Sequence, residues 1–293
     1  MSQQKHPPLT AWLGRQQTLE DEITLWPAQA LAATLGLPTT LAKGSALPPL
    51  WHWLYFLPLA PAATIGPDGH PETGNFLPPV ALPRRMWAGG RLAFHRDLHI
   101  GDCLRRVSTV SDITEKEGAS GRLVFVTVTH DIYSGTELLL AEQQDLVYRA
   151  AANGVNSAAP QGRIAERQGQ PATWHTSINP DPVLLFRYAA LTFNGHRIHY
   201  DQDYAQQQEG YPERVVQGPL IATLLLNLAQ QRAPHMPVQS FSFRARAPLF
   251  ALRPFTLHAR AHPDNIELWA ADQHGREAMT AELNPVGRNL FRQ

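Results

Sequence analysis

Two long alternating runs joined by a tight-turn signal limit what this chain can fold into. "RLVFVTVTHDIY" puts Val124, Val126, Val128 and Ile132 on one face and Leu123 and Phe125 on the other. Ser134-Gly135 then leads into "TELLLAEQQDLVYR". Period-two alternation on both sides of a Ser-Gly step predicts an antiparallel hairpin of long strands. "RLAFHRDLHIGD" and "CLRRVSTVSDITE" extend the same meander upstream. Long strands with one apolar face need something to bury that face against.

The second half shows such a partner. "RVVQGPLIATLLLNLAQQRA" is the clearest helix in the chain, starting at Gly218-Pro219, where proline suits a first turn. Three more alternating stretches follow: "VQSFSFRARA", "FTLHARAHPD" and "NIELWAADQHGREAMTAEL", the last turning at 273–275. The first half has its own helix signal in "TLWPAQALAATLG", with Thr24 as cap, Pro27 in the first turn and Gly36 as stop. "LPPLWHWLYFLP" fits either a short buried helix or a strand. The expected organisation is therefore duplicated: residues 1–150, a small polar linker at 151–172, and residues 173–293. Each half is an apolar helix wrapped by an antiparallel sheet, an α+β arrangement, and the two sheets are expected side by side.

Composition removes several function classes. The chain has 293 residues and is 43% hydrophobic, enough for a full core. Its 25 basic residues balance 25 acidic ones, so no global field draws in nucleic acid or an acidic membrane. The single cysteine, Cys103, allows no intrachain disulfide and reads as a half-buried apolar residue. No stretch reaches the length of a membrane span, and "MSQQKHPPLTAWLG" has no signal-peptide pattern. A soluble cytoplasmic protein is the expectation.

Polar chemistry concentrates in "FRYAALTFNGHRIHYD", residues 186–201. Residues 186–192 read as a strand end, and Asn194-Gly195 as a turn. His196 and His199 are three apart, but no cysteine and no third or fourth ligand is evident, so no metal is expected. Acid–base chemistry suits the segment better. A histidine is the usual proton carrier near neutral pH, and the helix start at Gly218 offers free N–H groups to an oxygen gaining charge. The loop at 59–83, rich in Pro, Gly and Thr, is long enough to be functional in its own right.

At these residues the sequence resembles a known group. "ALTFNGHRIHYD…VVQGPLIATLLLNLA" is similar to the MaoC-like, or hydratase 2, hot-dog enzymes. It is closest to the hydroxyacyl-thioester dehydratase type 2 branch and to the double-length hydratases of itaconyl-CoA and mesaconyl-type CoA esters. The resemblance implies a tandem hot-dog fold and reversible addition of water to a 2-enoyl-CoA. It implies His199 as the catalytic histidine, Gly218 as the N–H that contacts the thioester carbonyl, and Asp201 as the acid after the histidine, orienting its ring. One departure stands out: Asn194 occupies the position of the family's catalytic aspartate, and an amide cannot supply a proton as a carboxyl group does. Asn194 can still orient a water molecule.

A short dicarboxylic acyl-CoA, itaconyl-CoA or mesaconyl-type CoA interconverting with citramalyl-CoA, is the leading expectation for the substrate. Its free carboxylate calls for an arginine. Arg197 and Arg187 are candidates, as are Arg84 and Arg85, which could instead hold a CoA phosphate; Tyr188 and Trp87 are expected to line the acyl pocket. Coenzyme A enters as part of the substrate, with no separate cofactor, and a homodimer is compatible with the fold. Two alternatives remain: a 3-hydroxyacyl-thioester dehydratase of fatty acid metabolism, and an acyl-CoA-binding protein without catalysis.

Overall fold

The computed structural model describes residues 7–285 except 39, 119–120, 151–171 and 235. The expected linker lies, but for its last residue, outside the described residues. The first half contributes β1 (Gln16–Glu22), α1 (Leu25–Thr34), β2 (Arg84–Phe94), β3 (Cys103–Gly118), β4 (Gly121–Ser134) and β5 (Glu137–Arg149). The second contributes β6 (Trp174–Ile178), α2 (Pro182–Leu191), α3 (Gln202–Gln207), α4 (Gly218–Arg232), β7 (Val238–Ala245), β8 (Phe255–Ala261), β9 (Ile266–Asp272) and β10 (Glu277–Pro285).

All ten strands join one antiparallel sheet in the order β1-β3-β4-β5-β2-β7-β10-β9-β8-β6. Read from either edge inward, each half has the same strand permutation, so the duplication is one of topology. The expected hairpin is present: Ser134 pairs with Glu137 across a turn in which Gly135 takes a φ of +56°. Val124, Val126, Val128 and Ile132 are buried on one face of β4, as alternation requires.

The halves meet where β2 pairs with β7, Gly89 opposite Arg244 and Gly90 opposite Phe243. Glycine is needed at both positions for a steric reason. A Cβ on Gly89 would lie 2.6 Å from the Phe243 carbonyl oxygen, and one on Gly90 would lie 2.8 Å from Phe243 Cε1. Trp53, Trp87 and Phe243 pack edge to face over this seam, with centroids 5.1 to 6.1 Å apart.

Helix α4 is apolar nearly all round because it is enclosed nearly all round: Leu220, Ile221, Ala222, Leu225, Leu226, Leu228 and Ala229 are all buried. It packs on β6, β8, β9 and β10. Helix α1 of the first half packs against α2 of the second, and Trp51–Leu54 forms a short, largely buried 3-10 helix, the helical of the two alternatives, rather than a strand. The expected strand at 186–192 is corrected, because residues 186–191 belong to α2 and Thr192 caps its C-terminus. Asp181 caps that helix by accepting from Leu184 N at 2.7 Å, and Pro182 fills its first turn. Leu185, Tyr188 and Ala189 then face inward at helical spacing. Cys103 is exposed rather than half-buried.

The first half carries a buried polar network. Glu142, 2% exposed, accepts from His52 Nε2 at 3.0 Å, Trp53 Nε1 at 2.9 Å and Gln144 Nε2 at 2.9 Å. Burial would raise its pKa, but hydrogen bonds and the charge of His52 outweigh that and hold it at about 2.

Adding one methyl group at the seam, Gly89→Ala, forces β2 and β7 apart. It should destabilise the fold by about 1–3 kcal/mol, read as a lower urea midpoint. An unchanged midpoint would show that the seam yields freely.

Candidate active site

Tertiary structure gathers four polar side chains from two distant segments. His196 and His199 come from the 3-10 turn that follows α2, and both are buried. Asp68 and His70 come from the 59–83 loop of the first half. The two segments cross backbone to backbone: Arg197 N–H donates to Asp68 O at 2.9 Å. A Cβ on Gly195 would sit 2.5 Å from Gly69 O, and one on Gly69 would overlap Gly195 O. Gly69, with φ at +87°, satisfies both the turn and the crossing.

His199 is fixed by the main chain. Its Nδ1–H donates to Val215 O at 2.7 Å, and Val215 N–H returns a bond to Ile198 O at 2.9 Å. That pairing leaves Nε2 with its lone pair. Burial pushes the ring's pKa down to about 4, against the opposing bond to Val215. A neutral imidazole is thus tied through Nδ1 to Val215, three residues before the α4 start, and keeps Nε2 as a basic nitrogen.

Gly218 opens α4, and only Trp87 O, 3.9 Å away, approaches the place of a Cβ there. The N-terminal turn of α4 is therefore open to a ligand. Gln217, fully buried, donates from Nε2 to Leu185 O at 2.9 Å and ties this helix start to α2.

His70 Nδ1–H donates to Asp68 Oδ2 at 2.9 Å, and Asp68 Oδ1 accepts from His70 N at 3.0 Å. The rings of His70 and His196 lie 4.1 Å apart, and those of His196 and His199 lie 5.4 Å apart, nearly perpendicular. Burial lowers the pKa of His70, which Asp68 opposes and Arg85 reinforces. Burial also drives His196 far down, aided by the neighbouring rings of His70 and His199, which compete for a proton, and by the charges of Arg85 and Arg84. Burial would raise the Asp68 pKa, but its bonds to His70 outweigh it and keep the group ionised.

Asp68, His70 and His196 each offer a ligand atom within 4.8 Å of the others, a grouping the sequence alone did not reveal. Asp68 and His70 are hydrogen-bonded to each other, and the Arg85 cation acts on all three groups. That field disfavours a dication and suits proton traffic.

The remaining sequence candidates are dispersed. Asn194 turns its side chain onto the loop, where Oδ1 accepts from His196 N at 3.0 Å. Asp201 does not orient the His199 ring. It caps α3 by accepting from Tyr204 N at 2.9 Å and pairs with Arg197 at 2.7 Å. Arg197 is spent on that pair, on Pro67 O and on the Tyr204 ring. Arg84 is also spent, in a buried 2.6 Å pair with Glu209 and against Tyr211. Tyr188 is a core residue, 2% exposed and hydrogen-bonded to Thr223 of α4. Arg187 is exposed on α2. Trp87 belongs to the seam, beside Gly218. Arg85, partly buried, makes no ion pair among the described residues, and its charge reaches Asp68, His70 and Tyr148.

These features define a tandem hot-dog protein with a histidine site between its halves. Solved structures share the fold. HtdX of Mycobacterium tuberculosis matches with a TM-score of 0.67 at 17% identity, over 93% of this chain and 100% of that one. A MaoC-like dehydratase matches at 0.68 and 14%, over 95% and 99%. A second Mycobacterium tuberculosis protein, described as having a double hotdog fold, matches at 0.54 and 17%, over 95% and 98%. The sequence profile of hydroxyacyl-thioester dehydratase type 2 matches residues 50–251, and the chain belongs to that family. Mesaconyl-C(4)-CoA hydratase of Chloroflexus aurantiacus is 48% identical over 94% of this chain and 98% of its own. The mitochondrial hydroxyacyl-thioester dehydratase type 2 of Schizosaccharomyces pombe is 30% identical over 82% and 88%. No helix among the described residues is long and apolar enough to cross a membrane.

The buried rings make stability depend on acid. His199, and His130 in the first half, are each held from 6.5 down to about 4, chiefly by burial. Between those values the unfolded chain binds more protons than the fold, so stability falls as pH drops from 6.5 towards 4. Urea midpoints across that window should decline, and the His130→Gln variant should decline less steeply.

Proposed function

We propose that this chain is a hydro-lyase that reversibly hydrates a short dicarboxylic 2-enoyl-CoA, a mesaconyl-type CoA or itaconyl-CoA, to citramalyl-CoA, as in degradation of itaconate or related methyl-branched diacids. The observation that carries the chemistry is His199, neutral and pinned through Nδ1 to Val215, three residues before the α4 start, which leaves Nε2 as the basic nitrogen. The near-complete match to a mesaconyl-C(4)-CoA hydratase supports the substrate class.

In this reading His199 Nε2 takes a proton from water as the water oxygen bonds to Cβ. The C=C electron pair moves towards the thioester oxygen, which the Gly218 N–H and the α4 dipole stabilise. Asn194 positions the water through its side-chain NH₂, its oxygen being engaged by His196 N. Arg85 receives the free carboxylate, since Arg84 and Arg197 are already paired. Trp87 borders the thioester end. Coenzyme A arrives with the substrate, and no further cofactor takes part. Asp201 acts on the loop, through α3 and Arg197, rather than on the His199 ring.

Hydration of mesaconyl-CoA, itaconyl-CoA and crotonyl-CoA, followed by mass, tests the reading. Turnover of the diacid esters supports it; turnover of crotonyl-CoA alone moves the protein to fatty-acyl dehydration, and no turnover leaves a binding protein. His199→Gln should lower kcat by about 10³-fold, within the span usual for a lost proton carrier. Arg85→Ala should weaken the diacid esters by about ten- to a hundredfold in KM and spare crotonyl-CoA. Equal losses on both substrate types would remove Arg85 from the carboxylate site.

A further inference from the structure

Asn194 cannot carry a proton, so the motif itself supplies no second acid–base group besides His199. We propose that His70, backed by Asp68, is that group and serves Cα; this rests on the hydratase reading above. The 59–83 loop crosses the histidine turn at Gly69 and Gly195 and sets His70 beside His196 and His199. Asp68 holds the His70 Nδ1–H, so Nε2 is the working nitrogen, and its carboxylate stabilises the imidazolium formed when Nε2 gains a proton. The charged groups acting on His70 are Asp68 and Arg85, which oppose each other.

The proton balance closes without an outside donor. His199 Nε2 takes the proton of the attacking water while the C–O bond forms at Cβ. That proton passes through His196, whose ring neighbours both others, to His70 Nε2. His70 then delivers it to Cα as the enolate collapses and the C–H bond forms. All three rings end neutral. In dehydration the order reverses: His70 removes the Cα proton, and His199 returns it to the departing hydroxyl.

Deuterium exchange at Cα of methylsuccinyl-CoA separates the two roles, because this saturated ester has no hydroxyl to lose. In D₂O the unmodified enzyme should add one deuterium at Cα, read by mass. His70→Gln should lose that exchange by about 10²-fold or more while still binding the ester and melting cooperatively. Asp68→Asn, which preserves the side chain's size, should lose about tenfold or more, as befits a positioning residue. His199→Gln should keep the exchange while losing hydration. Exchange that survives in His70→Gln and vanishes in His199→Gln would overturn the assignment, as would its absence in an unmodified enzyme that hydrates enoyl-CoA. Absence of both exchange and hydration in the unmodified protein would instead sink the hydratase reading beneath it.

Discussion

The antiparallel pairing of β2 with β7 is the contact on which the site depends. It makes one sheet from two similar halves, and it does so at a position where no side chain but glycine fits under Phe243. Arg84 and Arg85 open β2, and the loop that carries Asp68 and His70 runs directly into it. Once β2 is docked, Arg84 reaches Glu209 beyond α3, and the loop lies across the histidine turn of the other half. The site is thus a product of the seam rather than of either half.

Duplicated topology does not mean duplicated chemistry. The second half holds the 15-residue helix, with its free N-terminal turn, and the motif histidines. The first half has the 10-residue α1 and spends much of residues 35–83 on turns and loop. Its buried carboxylate, Glu142, accepts from three side-chain donors and ties the packing of the first half together. The first half contributes to the site by reaching over it.

Every ring at the site is held neutral by the same cause. Removing imidazolium from water costs more than nearby carboxylates return, and only Asp68 lies close enough to offset that cost at His70. Arg85 keeps the balance on the side of neutrality. A cluster of neutral imidazoles beside one cation can pass protons without holding a net negative charge of its own.

What the sequence determined follows from periodicity and local rules. Alternation placed β3, β4, β5 and the strands after α4, and Gly-Pro marked the start of α4. Where local signals were ambiguous, the sequence misled: the aromatics of α2 read as a strand because helix and strand spacing cannot be told apart over so short an apolar run. Only tertiary structure decided which charges were available. Arg84 and Arg197 were candidates for a substrate anion and Asp201 for the His199 ring; all three are engaged with other partners in the folded chain. Asp68 and His70 stand about 130 residues from the histidines they join; a glycine- and proline-rich loop signals only that the chain turns there. Local propensity fixes elements, whereas the meeting of two loops depends on how the sheets dock, and that information lies in contacts distant along the chain.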